Sequence, residues 1–236
     1  MVAWTNTRDE GTRALRVLIH GTAGVGKTRL AATVPDPSRC LIALVEDGAL
    51  SLCDIEMPAV RITCARDMRE VCRVLQSPDG ERIDVFYIDS LTAFAEMVLF
   101  EEKAQTRDPR KAFGVMQDTI NEFLVGVMPQ LPQHVFATAK QELIQTDEGD
   151  RWVPNFPGQT LVKKSPVSHA FDACWAMHCD VDADGNAKRW LQTQLHANPK
   201  FSAKTRDPLG RIGAREEPNL ASIISRLCPP KQPENK

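Results

Sequence analysis

The feature that most restricts the fold of this chain is a glycine-rich turn at residues 21–28, directly after an apolar run at residues 15–20. The turn reads Gly-Thr-Ala-Gly-Val-Gly-Lys-Thr and matches the phosphate-loop pattern G-x-x-x-x-G-K-[ST]. Such a loop works between a buried strand and a helix, because its amide groups converge on an anion at the helix N-terminus. The pattern therefore predicts an α/β fold built around a nucleotide site.

Each position of this loop has a physical role. Gly21 and Gly26 let the backbone approach phosphates without a Cβ atom in the way. Lys27 can reach the β- and γ-phosphates, and the Thr28 hydroxyl can bind Mg²⁺. The predicted nucleotide-contacting residues are Gly21, Thr22, Ala23, Gly24, Val25, Gly26, Lys27, Thr28 and Arg29. ATP and Mg²⁺ are the expected ligands, although no residues define an adenine pocket and the choice of base stays open.

Strand and helix patterns alternate along the first 140 residues. Apolar runs of strand length stand at 15–20, 40–45, 83–89 and 134–139. Helical patterns stand at 66–76, 91–103 and 113–128. This alternation predicts a RecA-like P-loop NTPase core, with a mostly parallel central sheet and helices on both faces. Later turn signals predict antiparallel hairpins at 141–153 and 170–194, a basic loop at 198–215 and a closing helix at 219–227.

Length and composition favour one domain without a membrane segment. The chain has 236 residues and a net charge of −2, with no apolar run long enough to span a bilayer. We predict a flexible lead-in at 1–14, one ATPase domain at 15–227 and a disordered tail at 228–236. The N-terminus has no hydrophobic signal core, and the seven cysteines form no regular framework. These features predict a cytoplasmic protein with reduced thiols.

Two acids follow apolar strands at the positions where a P-loop enzyme needs them. Asp89 ends the run Val-Phe-Tyr-Ile-Asp, where a carboxylate can hold the hydration shell of Mg²⁺ opposite Thr28. Glu46 follows the second strand, at the sheet edge where ligands gather. A carboxylate there can deprotonate the water that attacks the γ-phosphate. Asp47 is the competing candidate for this role.

Four motifs in this order resemble a phage-encoded family of RecA-like nucleotide-binding proteins that includes single-strand-annealing recombinases. They are the phosphate loop at 21–28, Glu-Asp-Gly-Ala-Leu-Ser-Leu at 46–52, Ile-Asp-Ser-Leu-Thr at 88–92 and Ala-Lys-Thr-Arg at 203–206. The family often reads Glu-Gly-Gly where this chain has Glu46-Asp47-Gly48, so Glu46 aligns with the family's catalytic glutamate. The resemblance covers roughly residues 15 to 215.

The resemblance implies an activity and partners. It implies ATP hydrolysis, binding of single-stranded DNA, and annealing or strand pairing together with a single-strand-binding protein. It also implies a homo-oligomer, either a ring or a filament, and for a phage-encoded protein the host bacterial cytoplasm. By the same resemblance, Lys140 or Gln141 senses the γ-phosphate at the end of the fourth strand. Lys204 and Arg206 would stabilise the transferred phosphoryl group from a neighbouring subunit.

Two loops are candidates for sequence-tolerant binding of single strands, in which basic residues neutralise phosphates and aromatic residues stack on bases. The first is 103–111, with Arg107, Arg110 and Lys111, and the second is 151–164, with Trp152, Phe156, Lys163 and Lys164. For the two aromatic residues, packing within a surface hairpin is the alternative.

Two other functions use the same loop. A small-molecule kinase needs an acceptor pocket and an Arg-rich lid, whereas the late part of this chain predicts hairpins. A loader of a partner protein would hold ATP without appreciable turnover. A calcium loop at 180–185 is disfavoured because its twelfth position is Leu191. A zinc site at Cys174, His178 and Cys179 is disfavoured by its spacing.

Overall fold

The computed structural model describes residues 14–157 and 167–229. The predicted lead-in and tail therefore lie outside the described residues, apart from Ala14, Cys228 and Pro229, and nothing tests them. Within the described ranges the chain has an α/β fold with a mostly parallel central sheet, as the sequence predicts.

Regular elements alternate along the chain much as predicted. The strands are β1 (Arg16–His20), β2 (Cys40–Leu44), β3 (Ala59–Arg61), β4 (Val85–Asp89), β5 (His134–Ala139), β6 (Gln141–Thr146), β7 (Gly149–Pro154), β8 (Ala173–Val181), β9 (Ala187–Gln192), β10 (Lys204–Thr205) and β11 (Arg215–Glu216). The α-helices are α1 (Lys27–Leu30), α2 (Ala65–Leu75), α3 (Leu91–Gln105), α4 (Pro109–Asn121) and α5 (Leu220–Leu227).

The order of the strands decides which loops meet. The central sheet runs β11-β9-β8-β1-β5-β4-β2-β3, with β10 also paired to β8. The pairs from β8 through β1, β5, β4 and β2 to β3 are parallel, whereas β9, β10 and β11 join antiparallel. The β6–β7 hairpin forms a separate sheet. The carboxyl ends of β1, β2, β4 and β5 therefore share one edge, where a ligand of this fold class binds.

The central strands are apolar on both sides because helices cover both faces of the sheet. Alternate residues such as Leu18 and Phe86 pack with α2, α3 and α4. Their neighbours Val17 and Tyr87 pack on the opposite face with α1 and α5. Both faces are therefore removed from water, which explains continuous apolar runs in place of an apolar-polar alternation.

The predicted helix at 113–128 begins four residues earlier in the structure, within the candidate DNA-binding loop at 103–111. Helix α4 begins at Pro109, so Arg110 and Lys111 are helical. Proline suits the first turn of a helix because it has no amide hydrogen to satisfy. The Asp108 carboxylate accepts a hydrogen bond from the Arg110 amide and caps the helix at 2.9 Å. At its other end the helix passes into a π-helical stretch at 122–127.

Three short strands escape the sequence patterns. β3 has three residues, and β10 and β11 have two each inside or at the end of the predicted basic loop. Strands this short carry no readable alternation, and only their pairing partners define them. In the described part of the chain, no helix combines the length and apolar character needed to cross a membrane.

Candidate active site

The phosphate loop connects β1 to α1 at the carboxyl edge of the sheet. Gly26 has a φ of 110°, a left-handed conformation in which a side chain would be strained. The loop forms one wall of a cleft of about 530 Å³. The cleft is lined by loop residues 21–24 and 26–28 together with Arg29, Glu46, Ser51, Asp89, Ser90, Lys140, Gln141 and Trp152. All predicted nucleotide-contacting residues except Val25 therefore line one cleft.

Lys27 lies across the mouth of the loop. Its Nζ atom donates to the carbonyl oxygens of Gly21 at 2.8 Å and Thr22 at 2.9 Å. Burial lowers the pKa of Lys27, while the carboxylates of Asp89 and Glu46 raise it. Burial thus removes part of the water around the ammonium group, and the oxygens of a bound phosphate chain would take the place of that water as hydrogen-bond acceptors.

Thr28 and Asp89 meet at the predicted metal position. The Thr28 hydroxyl donates to Asp89 Oδ2 at 2.7 Å, and the Thr138 hydroxyl donates to Asp89 Oδ1 at 2.6 Å. Asp89 is only 5% exposed, so both of its oxygens are fixed in direction. A hydroxyl and a carboxylate are the hard oxygen donors that Mg²⁺ prefers. The residues present therefore fit a magnesium ion held by Thr28, with Asp89 orienting its coordinated water.

Gly48 leaves room for this pair. A Cβ atom at Gly48 would lie 2.7 Å from Asp89 Oδ2 and 3.1 Å from Thr28 Cγ2. Any side chain would press on the metal-binding oxygens, so the tight fit accounts for glycine at this position.

Glu46 and Asp47 occupy different environments. The Ser90 hydroxyl donates to Glu46 Oε1, and the amides of Val45 and Glu46 both donate to the Asp89 carbonyl oxygen. The Glu46 carboxylate is thereby held in the cleft beside Lys27 and Asp89. Asp47 instead pairs with Arg61 at 2.9 Å, and its side chain is 90% exposed. The geometry favours Glu46 as the general base.

The two candidates for γ-phosphate sensing also differ. The Lys140 ammonium pairs with Glu96 on α3 at 2.6 Å. Gln141 lies beside His20, the last residue before the phosphate loop. A lysine that already pairs with a carboxylate interacts less strongly with a phosphate, so the geometry favours Gln141 over Lys140.

His20 is fully buried beneath the phosphate loop. Its Nε2 donates to the Ser202 carbonyl oxygen at 2.7 Å. Burial lowers the pKa of His20 from 6.5 to about 4, while the hydrogen bond with Ser202 and the nearby Gln141 side chain act in the opposite direction. Since the charged form is disfavoured in the fold, His20 is a neutral hydrogen-bond donor at neutral pH.

Because the pKa of His20 is lower in the fold, the unfolded chain takes up the proton first as pH falls. The contribution of His20 to stability is complete above the unfolded pKa and is lost as pH falls towards the folded pKa. We expect wild type to lose about 2 kcal/mol more unfolding free energy than His20→Gln between about pH 7.5 and about pH 5. Urea unfolding at both pH values measures this difference. Equal losses in the two proteins would contradict the prediction.

The remaining predicted cations lie elsewhere. Arg29 makes a bidentate ion pair with Asp54. Lys204 stands opposite Cys174 in the register of β10 with β8. The Arg206 guanidinium lies 3.5 Å from the Asp172 carboxylate. Asp172 also accepts from the Arg16 amide at the start of β1, the end opposite the phosphate loop. Arg206 therefore lies away from the phosphate loop of its own chain, and the action of Lys204 and Arg206 on the site of a neighbouring subunit stays a prediction.

The predicted DNA residues divide into three groups. Arg107, Arg110 and Lys111 are exposed around the start of α4. Lys163 and Lys164 lie outside the described residues. Trp152 is half-buried and stacks on Phe201, with ring centroids 6.4 Å apart. Phe156 belongs to the core at 6% exposure, so its proposed role in DNA stacking is wrong.

Sequence reasoning missed two residues of this site. Thr138 is the one hydroxyl in the apolar run His-Val-Phe-Ala-Thr-Ala, which is a readable signal. Arg189 on β9 donates from Nε to the Val25 carbonyl oxygen of the phosphate loop at 2.9 Å. It has no local signal, because 164 residues separate it from Val25.

Comparisons with known proteins support a P-loop ATPase domain. A protein-family model described as an AAA domain matches residues 13–206. A search of curated proteins found no match to this chain.

Proposed function

The chain belongs to the AAA domain family of P-loop ATPases, and on that premise we propose that it is a DNA-stimulated ATPase of phage recombination. In this proposal it binds single-stranded DNA and promotes annealing or strand pairing. It works as a homo-oligomer, ring or filament, with a single-strand-binding protein in the host bacterial cytoplasm. Nucleotide binding and ATP hydrolysis follow from the family, and the DNA function is the proposed part.

ATP hydrolysis can be assigned to named groups. The loop amides and Lys27 hold the β- and γ-phosphates. A magnesium ion bound by Thr28 would neutralise charge on the phosphate oxygens. Glu46, held by the Ser90 hydroxyl, takes the proton of the attacking water. Thr138 and Thr28 fix the Asp89 carboxylate, so the electrostatic environment is in place before ATP binds.

One observation supports the DNA function most directly: the β6–β7 hairpin starts where the ATP site ends. β5 carries Thr138, and the hairpin begins at Gln141. Gln141 and Trp152 both line the nucleotide cleft. A change in the phosphates at the cleft can therefore move the hairpin, as in other γ-phosphate switches.

A chain of hydrogen bonds gives this coupling a second route. His20 donates to the Ser202 carbonyl oxygen at 2.7 Å, and the Ser202 amide donates to the Trp152 carbonyl oxygen at 2.8 Å. The Trp152 amide in turn donates to the Lys200 carbonyl oxygen. The hairpin is thus tied to the residue that precedes the phosphate loop.

The first experiment is steady-state ATP hydrolysis with and without single-stranded DNA, with double-stranded DNA as the control. We expect single strands alone to stimulate turnover, because ordering the DNA-bound hairpin would align Gln141 with the γ-phosphate. Hydrolysis that ignores DNA would reject the recombination function. Phosphate transfer to a small acceptor would then favour a kinase, and ATP binding without turnover would favour a partner loader.

The salt dependence of the affinity for single-stranded DNA tests the basic residues. If Arg107, Arg110 and Lys111 each neutralise one phosphate, they contribute about −2 to the slope of log affinity against log salt. Replacing all three by alanine should remove that contribution. The matched control replaces Arg61, Arg69 and Arg73, whose guanidinium groups already pair with carboxylates. An equal change in both variants would reject a specific contact at the start of α4.

A further inference from the structure

Arg189 reaches the phosphate loop from the antiparallel edge of the sheet. Its strand, β9, pairs with β8, and β8 pairs with β1. From there its Nε atom donates to the Val25 carbonyl oxygen at 2.9 Å. The contact joins the middle of the loop to a strand 164 positions away in sequence.

The contact depends on the glycine next to Val25. A Cβ atom at Gly26 would lie 3.1 Å from Arg189 Nε and 3.2 Å from Arg189 Cδ. The side chain of Arg189 therefore packs against the space that a side chain at residue 26 would occupy. Gly26 also has a φ of 110°, so the guanidinium group braces the loop at its most unusual backbone position.

The surroundings of the Arg189 guanidinium group differ from those of Arg29. Among residues 14–157 and 167–229, no carboxylate pairs with its guanidinium group, and the residue is exposed. Arg29, which lines the cleft, instead pairs with Asp54. Gly26, against which Arg189 packs, is followed by Lys27, a second cation. Such a concentration of positive charge is stabilised by a bound polyanion.

The direction of the hydrogen bond indicates how Arg189 acts. Loop amides that cradle a phosphate point inward, so the carbonyl oxygens of the same peptides point outward. Arg189 holds one of these outward oxygens, that of Val25. It therefore fixes the orientation of the Val25–Gly26 peptide, whose amide belongs to the anion cradle.

We propose that Arg189 is a positioning residue of the nucleotide site: from the outer side of the loop, its hydrogen bond to the Val25 carbonyl oxygen locks the Val25–Gly26 peptide in its anion-binding orientation. The ligand it serves is the polyphosphate chain, whatever the base. This inference rests on nucleotide binding alone and is independent of the proposed DNA function.

The test compares Arg189→Ala with wild type by calorimetric titration of Mg²⁺-ATP and of Mg²⁺-tripolyphosphate, which has no base or ribose. We expect both affinities to fall by about the same factor, on the order of tenfold for a lost charge-assisted contact. In steady-state hydrolysis, KM for ATP should rise by a similar factor while kcat changes less than about twofold, because uniform binding is lost.

Two variants keep the test decisive. Lys188→Ala removes a neighbouring exposed cation of β9 and should leave both affinities unchanged. Arg189→Lys keeps the charge without the Nε contact and should fall between wild type and Arg189→Ala. Unchanged affinities in Arg189→Ala would overturn the proposal. A loss confined to ATP would also overturn it, since it would indicate a contact with the base or ribose. So would a loss of kcat as large as the rise in KM.

Discussion

Lys27→Ala is expected to abolish measurable ATP binding and, with it, hydrolysis. The Lys27 ammonium now donates to two loop carbonyl oxygens and lies half-buried at the position of the bound phosphates. Charge-assisted hydrogen bonds are worth about 1.5–3 kcal/mol each, so losing two phosphate contacts lowers affinity by roughly 10² to 10⁴. Calorimetric titration with Mg²⁺-ATP measures the loss.

Two controls separate a lost contact from a damaged loop. Lys27→Met keeps most of the side-chain volume and should lose affinity to the same extent. The melting temperature without nucleotide should change little in either variant, since burial of the ammonium group already opposes its charge. An ATP affinity equal to that of wild type in Lys27→Ala would show that this cleft is not the nucleotide site.

Glu46→Gln is expected to reduce ATP turnover about 10² to 10⁴-fold while ATP still binds. The amide group of glutamine can still accept the hydrogen bond from Ser90, so the side chain should keep its position. It cannot take a proton from water, so only the chemical step is affected. Steady-state hydrolysis and nucleotide titration on the same preparation measure the two effects separately.

The neighbouring acid provides a matched control. Asp47→Asn changes the same chemistry one residue away, but Asp47 pairs with Arg61 outside the cleft. Its turnover should stay close to wild type. A collapse of turnover in Asp47→Asn with normal Glu46→Gln activity would make Asp47 the base. Normal turnover in both variants would favour the loader, in which ATP is held without hydrolysis.

Much of the fold could be read from local pattern. The phosphate loop, the four apolar strand runs and the acids that follow β2 and β4 all stand where the sequence predicts them. Each is encoded by residues adjacent along the chain, because backbone freedom of glycine and burial of a strand are local properties. The α-helices α2, α3 and α5 also lie within two residues of their predicted bounds.

The errors share a different cause. The sequence pattern does not predict the start of α4, because Asp108 and Pro109 are typical of loops. The same two residue types are also typical of a helix N-terminus. The sequence leaves Phe156 open between DNA stacking and packing in a surface hairpin, whereas it packs into the core on the α3 side of the sheet. The pairing of Lys140 with Glu96 likewise could not be read from either segment alone.

The sequence by itself determined that this chain holds a phosphate loop in an α/β sheet, with acids at the edge where magnesium and water are needed. Only the tertiary structure decided how these groups meet. Strand order places Thr138 against Asp89, and the β8–β9 hairpin brings Arg189 onto Val25. The physical reason is that a hydrogen bond between residues 49 or 164 positions apart depends on how the sheet is assembled, which no local pattern records.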